Sequence, residues 1–277
     1  MLWNLDEVYK ALDIKKKINE NFLFNDISID SRKINKKSLF IPIEGKNYDG
    51  HKFIDSVARK GVKACLIEKK KKHLIKNKKI LLIEVNNTLI SLKKLALYAR
   101  NRIRDLKTIC VTGSNGKTTL KEWLKETLKN NFLVYSNPGN FNNLIGMPIT
   151  LVNIPKNTEI CILELGMNTY GEIKELARIA RPDIAIITNI GNAHIGNFKN
   201  RFEIAKEKSD IFSFLEGDSI AIIPGDSDHF KLLDKKAKAK TNQIITFGKD
   251  PDFQSKYKEE KNDMFTFNVS ETKIKLK

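Results

Sequence analysis

The stretch Thr112-Gly113-Ser114-Asn115-Gly116-Lys117-Thr118-Thr119 constrains this chain more than any other part of it. It follows the apolar run Thr108–Thr112 and precedes helical spacing from about Lys117 to Lys129, so it reads as strand, turn and helix. The glycines let the turn curl until successive N–H groups face one point, and the helix start adds its partial positive charge. Lys117 is then placed to reach the outer phosphates of a nucleotide, and the Thr118 hydroxyl to ligate Mg²⁺. An ordinary glycine turn capped by a threonine would need none of the surrounding strand, lysine and helix. The pattern departs from G-x-x-x-x-G-K-[ST] at one place, where Val111 stands for the first glycine, so the loop is a shortened one.

A phosphate loop at a strand end needs a parallel sheet behind it, and the flanking sequence supplies one. Apolar runs at Phe132–Tyr135, Ile160–Leu165, Ile184–Thr188, Ser219–Ile223 and Ile244–Phe247 read as strands, with helices at about Gly171–Ala180 and Arg201–Leu215 between some of them. That alternation predicts an α/β fold with a mostly parallel sheet covered on both faces, over residues 106–277. Met264–Val269 and Lys273–Leu276 read as a terminal hairpin. Residues 1–105 form a smaller α/β unit, with strands at Phe40–Ile43, Ala64–Glu68 and Ile80–Val85 and helices at Ile54–Lys60 and Thr88–Arg104.

Composition narrows the class. A hydrophobic fraction of 41% with 30% charged residues describes a globular chain rather than a disordered one. No apolar run reaches the roughly 18–20 residues of a membrane span, and Met1–Glu7 carries neither a basic nor a long apolar stretch, so no signal peptide is expected. Cys65, Cys110 and Cys161 each sit in an apolar run, without disulfide or zinc spacing, and predict buried thiols in a reducing cytoplasm. The net charge of +17 is spread along the chain, with no helix-turn-helix, finger or RNA-binding aromatic pattern. No specific nucleic-acid partner is expected, and the same positive field suits a polyphosphate substrate.

Beyond the loop, four further segments resemble one family. Thr112–Thr119 is similar to the ATP loop of the Mur ligases, which build the peptide of bacterial cell-wall precursors. Gly139-Asn140-Phe141-Asn142-Asn143-Leu144-Ile145-Gly146-Met147-Pro148 is similar to a family segment near substrate and phosphates. Glu164-Leu165-Gly166-Met167-Asn168 with Gly171-Glu172-Ile173 resembles the branch that adds D-alanyl-D-alanine, and Thr188-Asn189-Ile190-Gly191 with Ala193-His194 is a further match. In the first unit, Asp30-Ser31-Arg32-Lys33, Leu39-Phe40, Gly45 and Asp49-Gly50-His51 resemble the UDP-binding domain of the later-acting members.

The resemblance implies carboxylate activation by ATP. The terminal carboxylate of a UDP-N-acetylmuramoyl tripeptide takes the γ-phosphoryl group, and the amine of D-alanyl-D-alanine then attacks the acyl phosphate. It implies ATP contacts from Gly113, Ser114, Asn115, Gly116, Lys117, Thr118 and Thr119, and Mg²⁺ held by Thr118 and Glu164. It also implies His194 at a second Mg²⁺, beside a lysine converted by CO₂ to a carbamate. The spacing to the acid Asp210 and to Ile211 favours Lys208 for that lysine, with Lys206 as the alternative. Lys117, Glu164, His194 and Lys208 are thus the expected catalytic set. Ser31, Arg32, Asp49, Gly50 and His51 are expected at the UDP moiety, and Asn140, Asn142 and Asn143 at the substrate. The asparagines are equally read as turn formers, and Ser31–Arg32 as a cap and surface pair. The resemblance further implies a monomer, and a family third domain that residues 1–277 do not include, so that the chain by itself would bind nucleotide without turnover. A sibling ligase adding the third amino acid and a non-catalytic precursor-binding protein are the competing readings.

Overall fold

The computed structural model describes residues 1–15, 21–45, 47–77, 79–248, 255–260, 264–269 and 272–276. By its contacts the chain divides into two units: Met1–Leu106 with Leu133–Glu159, and Lys107–Phe132 with Ile160–Lys277.

The second unit is built around the strand Lys107–Thr112, buried at every residue after the first. It pairs in parallel with Ile160–Glu164 on one side and Ile184–Ile187 on the other. Ile220–Pro224 and Gln243–Phe247 extend the sheet in parallel beyond Ile184–Ile187. Helices pack on the sheet faces and take solvent from both sides of the inner strands, which is why the inner runs of Lys107–Thr112 and Ile160–Glu164 are continuously apolar and buried rather than alternating. Because all five run the same way, the loops that follow them gather at one edge, where an open α/β sheet binds ligands. The helices are Lys117–Leu128, Glu172–Ala180, Arg201–Ser209 and Phe230–Lys238, the last not foreseen from sequence. The helix expected over Arg201–Leu215 tightens into a 3₁₀ turn at Asp210–Phe214. At that junction the Ser209 hydroxyl donates to the Lys206 carbonyl at 2.6 Å, competing with the regular backbone ladder. Ser255–Glu260, Met264–Val269 and Thr272–Leu276 form an antiparallel three-strand sheet, so the expected hairpin has a strand before it.

The first unit carries four parallel strands in the order Asp26–Ser28, Ser38–Phe40, Ala64–Glu68, Leu81–Val85. Its core gathers Phe40, Ile54, Val57, Val62, Cys65, Ile67 and Ile80. Several elements of this unit went unread in the sequence, among them the short strands Trp3–Asn4, Leu23–Phe24 and Asp26–Ser28. The helix Leu5–Leu12 opens with a capping box, in which Asn4 Oδ1 accepts from Glu7 N and Glu7 Oε2 from Asn4 N. Residues 133–159, placed by strand–helix alternation in the second unit, pack with the first. Their helix Gly146–Val152 lies along Thr88–Asn101. The Trp3 indole donates to Val152 O at 2.7 Å, and Asn153 bonds both Ile27 N and Ile27 O, as a strand neighbour would.

Candidate functional site

At the sheet edge of the second unit, the phosphate loop is held by the segment that follows Ile184–Ile187. Ser114 N donates to Asn189 O at 3.1 Å and Asn115 N to Asn189 Oδ1 at 3.0 Å. Thr188 Oγ1 donates to Asn115 O at 2.6 Å, and Gly191 N to Ser114 Oγ at 2.8 Å. Thr188, Asn189 and Gly191, read from sequence only as a family match, therefore set the shape of the loop. Gly113 has φ +153°, and a Cβ there would lie 1.9 Å from Thr188 Oγ1, so this position admits no side chain. The helix beginning at Lys117 presents its first N–H groups, which have no intrahelical carbonyl, to the same edge.

Four of the expected site side chains, Lys117, Thr118, Glu164 and Lys208, meet here. Thr118 Oγ1 donates to Glu164 Oε2 at 2.5 Å, and Glu164 ends its strand almost fully buried. Lys117 Nζ reaches Gly113 O at 2.9 Å, and Lys208 Nζ reaches the same oxygen at 2.8 Å. Burial first, and the charge of Lys117 second, hold the Lys208 amine down at about 7. Burial also lowers Lys117, opposed by Glu164. Lys208 is 1% exposed, whereas Lys206 on the same helix faces solvent. Asp210 is not at the site but pairs with Lys236 at 2.9 Å. His194 is exposed in the left-handed conformation, with φ 67°. Partial burial, then Lys208 and Lys117, push its imidazole below the ordinary range, so two positive groups bear on it.

Thr118 and Glu164 offer a hydroxyl and a carboxylate, the hard oxygen donors that Mg²⁺ takes from protein while phosphates and water complete its shell. Among the described residues no group of three or more His, Cys, Asp or Glu side chains is arranged to hold a metal. A small protein share of that kind fits Mg²⁺ on a nucleotide rather than a dedicated metal cage.

The first unit has a cleft of about 750 Å³ lined by residues 26–33 together with Phe40, Tyr48, Gly50, Phe53, Phe141 and Ile149. Ser31, Arg32 and Gly50 line it. Arg32 spends its Nε–Nη2 edge on Asp30, at 2.9 Å for each contact, so a phosphate would meet its remaining edge. That pairing holds the Asp30 carboxyl down at about 2. Gly50 is needed because a Cβ would fall 2.8 Å from Ile43 N and 2.9 Å from Ile43 O. Asp49 and His51 do not line the cleft. The His51 ring is fully enclosed, with Nδ1 2.6 Å from Asp49 Oδ1, and Lys71 Nζ closes on Asp49 Oδ2 at 2.7 Å. Burial would raise the Asp49 carboxyl, but Lys71 and His51 outweigh it and hold it at about 2. A depressed carboxyl stabilises the fold fully above its unfolded value near 4, and that contribution is lost as pH falls towards 2. Asp49→Asn is therefore expected to lose less stability than wild type between pH 5 and pH 2.5 in urea unfolding. Equal losses in the two proteins would refute the pairing.

Asn140, Asn142 and Asn143 stand in the first unit. Asn143 Oδ1 accepts from Ile145 N at 3.0 Å and Gly146 N at 2.8 Å, which is turn-forming work. Asn140 is exposed and Asn142 half-buried, with Asn142 N donating to Asn140 O.

The family descriptions that match are the Mur ligase middle domain over residues 111–277 and the Mur ligase family catalytic domain over residues 24–100. The chain belongs to the Mur ligase family. The UDP-N-acetylmuramoyl-tripeptide–D-alanyl-D-alanine ligase of Rickettsia prowazekii is 39% identical over 249 residues, 90% of this chain and 54% of the relative. That of Bacillus subtilis is 39% identical over 209 residues, 75% of this chain and 45% of the relative. This Mur ligase chain thus spans about half the length of the curated relatives it matches. Among solved structures, MurF from Acinetobacter baumannii superposes with a TM-score of 0.88 at 28% identity, covering 99% of this chain and 60% of that one. The MurF ligase of Thermotoga maritima in complex with ADP gives 0.75 at 30% identity, covering 91% and 57%. One residue of this Mur ligase site gave no signal in the sequence: Glu207, 4% exposed, accepts from Gly171 N and Ile173 N through its two carboxylate oxygens.

Proposed function

We propose that this chain carries the ATP site and the UDP-precursor site of a ligase that joins D-alanyl-D-alanine to a UDP-N-acetylmuramoyl tripeptide. The observation that carries the ATP half is the meeting of Lys117, Lys208 and the Thr118–Glu164 pair at the phosphate loop. The choice of amine rests on the names of the relatives and on the family resemblance of the Glu164–Ile173 segment.

The loop N–H groups and the helix start bind the phosphates of ATP, and Lys117 neutralises charge where the tripeptide carboxylate approaches the γ-phosphorus. Thr118 and Glu164 would hold Mg²⁺, which when bound screens the phosphate oxygens and withdraws charge from the group in transfer. Attack gives an acyl phosphate and ADP. The amine of D-alanyl-D-alanine then adds to the carbonyl, and the tetrahedral intermediate expels phosphate. Lys208, whose amine burial lowers to about 7 so that about half is uncharged at pH 7, is the site for carbamate formation by CO₂, with loss of one proton. The resulting anion would stand with His194 towards a second Mg²⁺. In the first unit, Ser31, Arg32, Lys33 and Gly50 line a cleft of a size suited to a nucleotide, and Asp49 with His51 serves as the framework behind Gly50. The described helices include none long and apolar enough to cross a membrane, and a cytoplasmic monomer fits a soluble precursor.

The test is ATP-dependent phosphate release by a product that contains this chain and has the length of its ligase relatives, with each substrate omitted in turn. Release that requires both the tripeptide precursor and D-alanyl-D-alanine is the expected result. Release supported by another amino acid, and not by D-alanyl-D-alanine, would assign the chain to a sibling reaction.

A further inference from the structure

Helix Arg201–Ser209 carries two consecutive side chains that brace two different segments of the second unit. Lys208 Nζ reaches the phosphate loop at Gly113 O, 2.8 Å away. Glu207, one residue earlier, turns to the start of helix Glu172–Ala180. There its Oε2 accepts from Gly171 N at 2.8 Å and its Oε1 from Ile173 N at 2.9 Å. Both acceptors of the carboxylate are used on backbone donors that the helix itself leaves without partners, and the negative charge lies at the positive end of the helix. Within that helix start, Glu172 Oε2 turns back to Asn168 N and to Thr169 N, the latter at 3.1 Å, so the loop after Glu164 is tied at its far end as well.

We infer that Glu207 is a positioning residue that fixes the Lys208 amine at the phosphate loop by anchoring helix Arg201–Ser209 to Gly171 and Ile173. A lysine side chain has four rotatable bonds and loses much entropy when held at one oxygen. The neighbouring carboxylate, turned about 100° around the helix, anchors its backbone to another segment, so only the side chain of Lys208 remains to be ordered. The same bonds also fix the far end of the 165–171 loop, where it enters helix Glu172–Ala180, so one residue bears on the lysine and on the loop that follows Glu164. That this matters for catalysis rests on the proposed reading of Lys208. The placement itself does not.

The experiment reads placement directly, on the whole 277-residue chain. Lysines are acetylated at pH 7 by a limiting acyl reagent, and each site is followed by mass spectrometry in wild type, E207A and E207Q. Lys208 is slow in wild type, and E207A is expected to speed it about tenfold through local opening of its helix. Lys121, fully buried on the phosphate-loop helix, reports on general loosening and is expected to stay unchanged. E207Q keeps one acceptor oxygen and is expected to fall between the two. An unchanged Lys208 in E207A, or Lys208 and Lys121 speeding up together, would overturn the inference. In the same samples, ADP with Mg²⁺ is expected to protect Lys117. A lack of protection would count against the nucleotide reading and leave the Glu207 result standing on its own.

Discussion

Lys117→Met, in a product of ligase length that contains this chain, is expected to cut ATP-dependent phosphate release by about 10³-fold, near 4 kcal/mol of transition-state stabilisation. Methionine keeps most of the apolar stem, so the half-buried position stays filled and the thermal midpoint is expected to hold. What is lost is the ammonium beside the phosphate loop, where the proposed reaction brings a carboxylate to a triphosphate. Burial strips water from Lys117, so its charge acts through a weaker dielectric than a surface lysine would. The loss should fall mainly on kcat, because the loop N–H groups and the helix start remain to bind ADP and ATP. Steady-state kinetics with ATP varied, alongside an ADP binding titration, separate the two effects. A purely KM defect would mean that Lys117 binds the ground state and does little for transfer.

Gly113→Ala carries the largest expected cost in stability. The new Cβ would lie 1.9 Å from Thr188 Oγ1, 3.1 Å from Thr188 Cβ and 3.2 Å from Asn189 N, at a φ of +153°. Thr188 cannot simply rotate away, because its hydroxyl is the donor that holds Asn115 O. Strain and clash together are expected to cost about 3 kcal/mol or more, lowering the thermal midpoint by about 10 °C. Nucleotide affinity should fall with it, since the loop would lose the shape that Thr188 and Asn189 impose. Adding Thr188→Ala removes the closest contact and should recover part of the stability, but not the strain of the backbone. Full recovery in the double variant would show that the φ of residue 113 is not what requires glycine.

The central sheet was legible because its strands are buried on both faces and read as unbroken apolar runs. Ile160–Glu164 and Ile184–Ile187 lie within one residue of their expected ends. The first-unit strand Ala64–Glu68 is legible for the same reason and matches its range. Short elements carried no such signal. Strands of two or three residues at Trp3–Asn4, Leu23–Phe24 and Asp26–Ser28 have no periodicity to read. The placement of residues 133–159 depends on Trp3 meeting Val152 and Ile27 meeting Asn153, each over more than 120 positions of sequence, and local pattern cannot show that. At the site, Lys117, Thr118 and Glu164 were legible because strand ends and phosphate-loop spacing fix where such side chains point. Glu207 was not, since a glutamate in a lysine-rich helix looks like a solvated charge until its two backbone partners are seen. Asp49 and His51 carried the opposite lesson. They resemble binding residues in sequence, and in the fold they pair with each other and with Lys71 behind the cleft.

Backbone amide shifts, followed by NMR as ADP with Mg²⁺ is added to this chain, test the central claim most directly. The account predicts saturable changes at Gly113 to Thr119 and at residues 188–191, with little change at Asp30–Lys33 and Gly50. UDP added instead is predicted to give the reverse pattern. Saturable ADP shifts that leave residues 113–119 untouched would contradict the account, whatever the affinity.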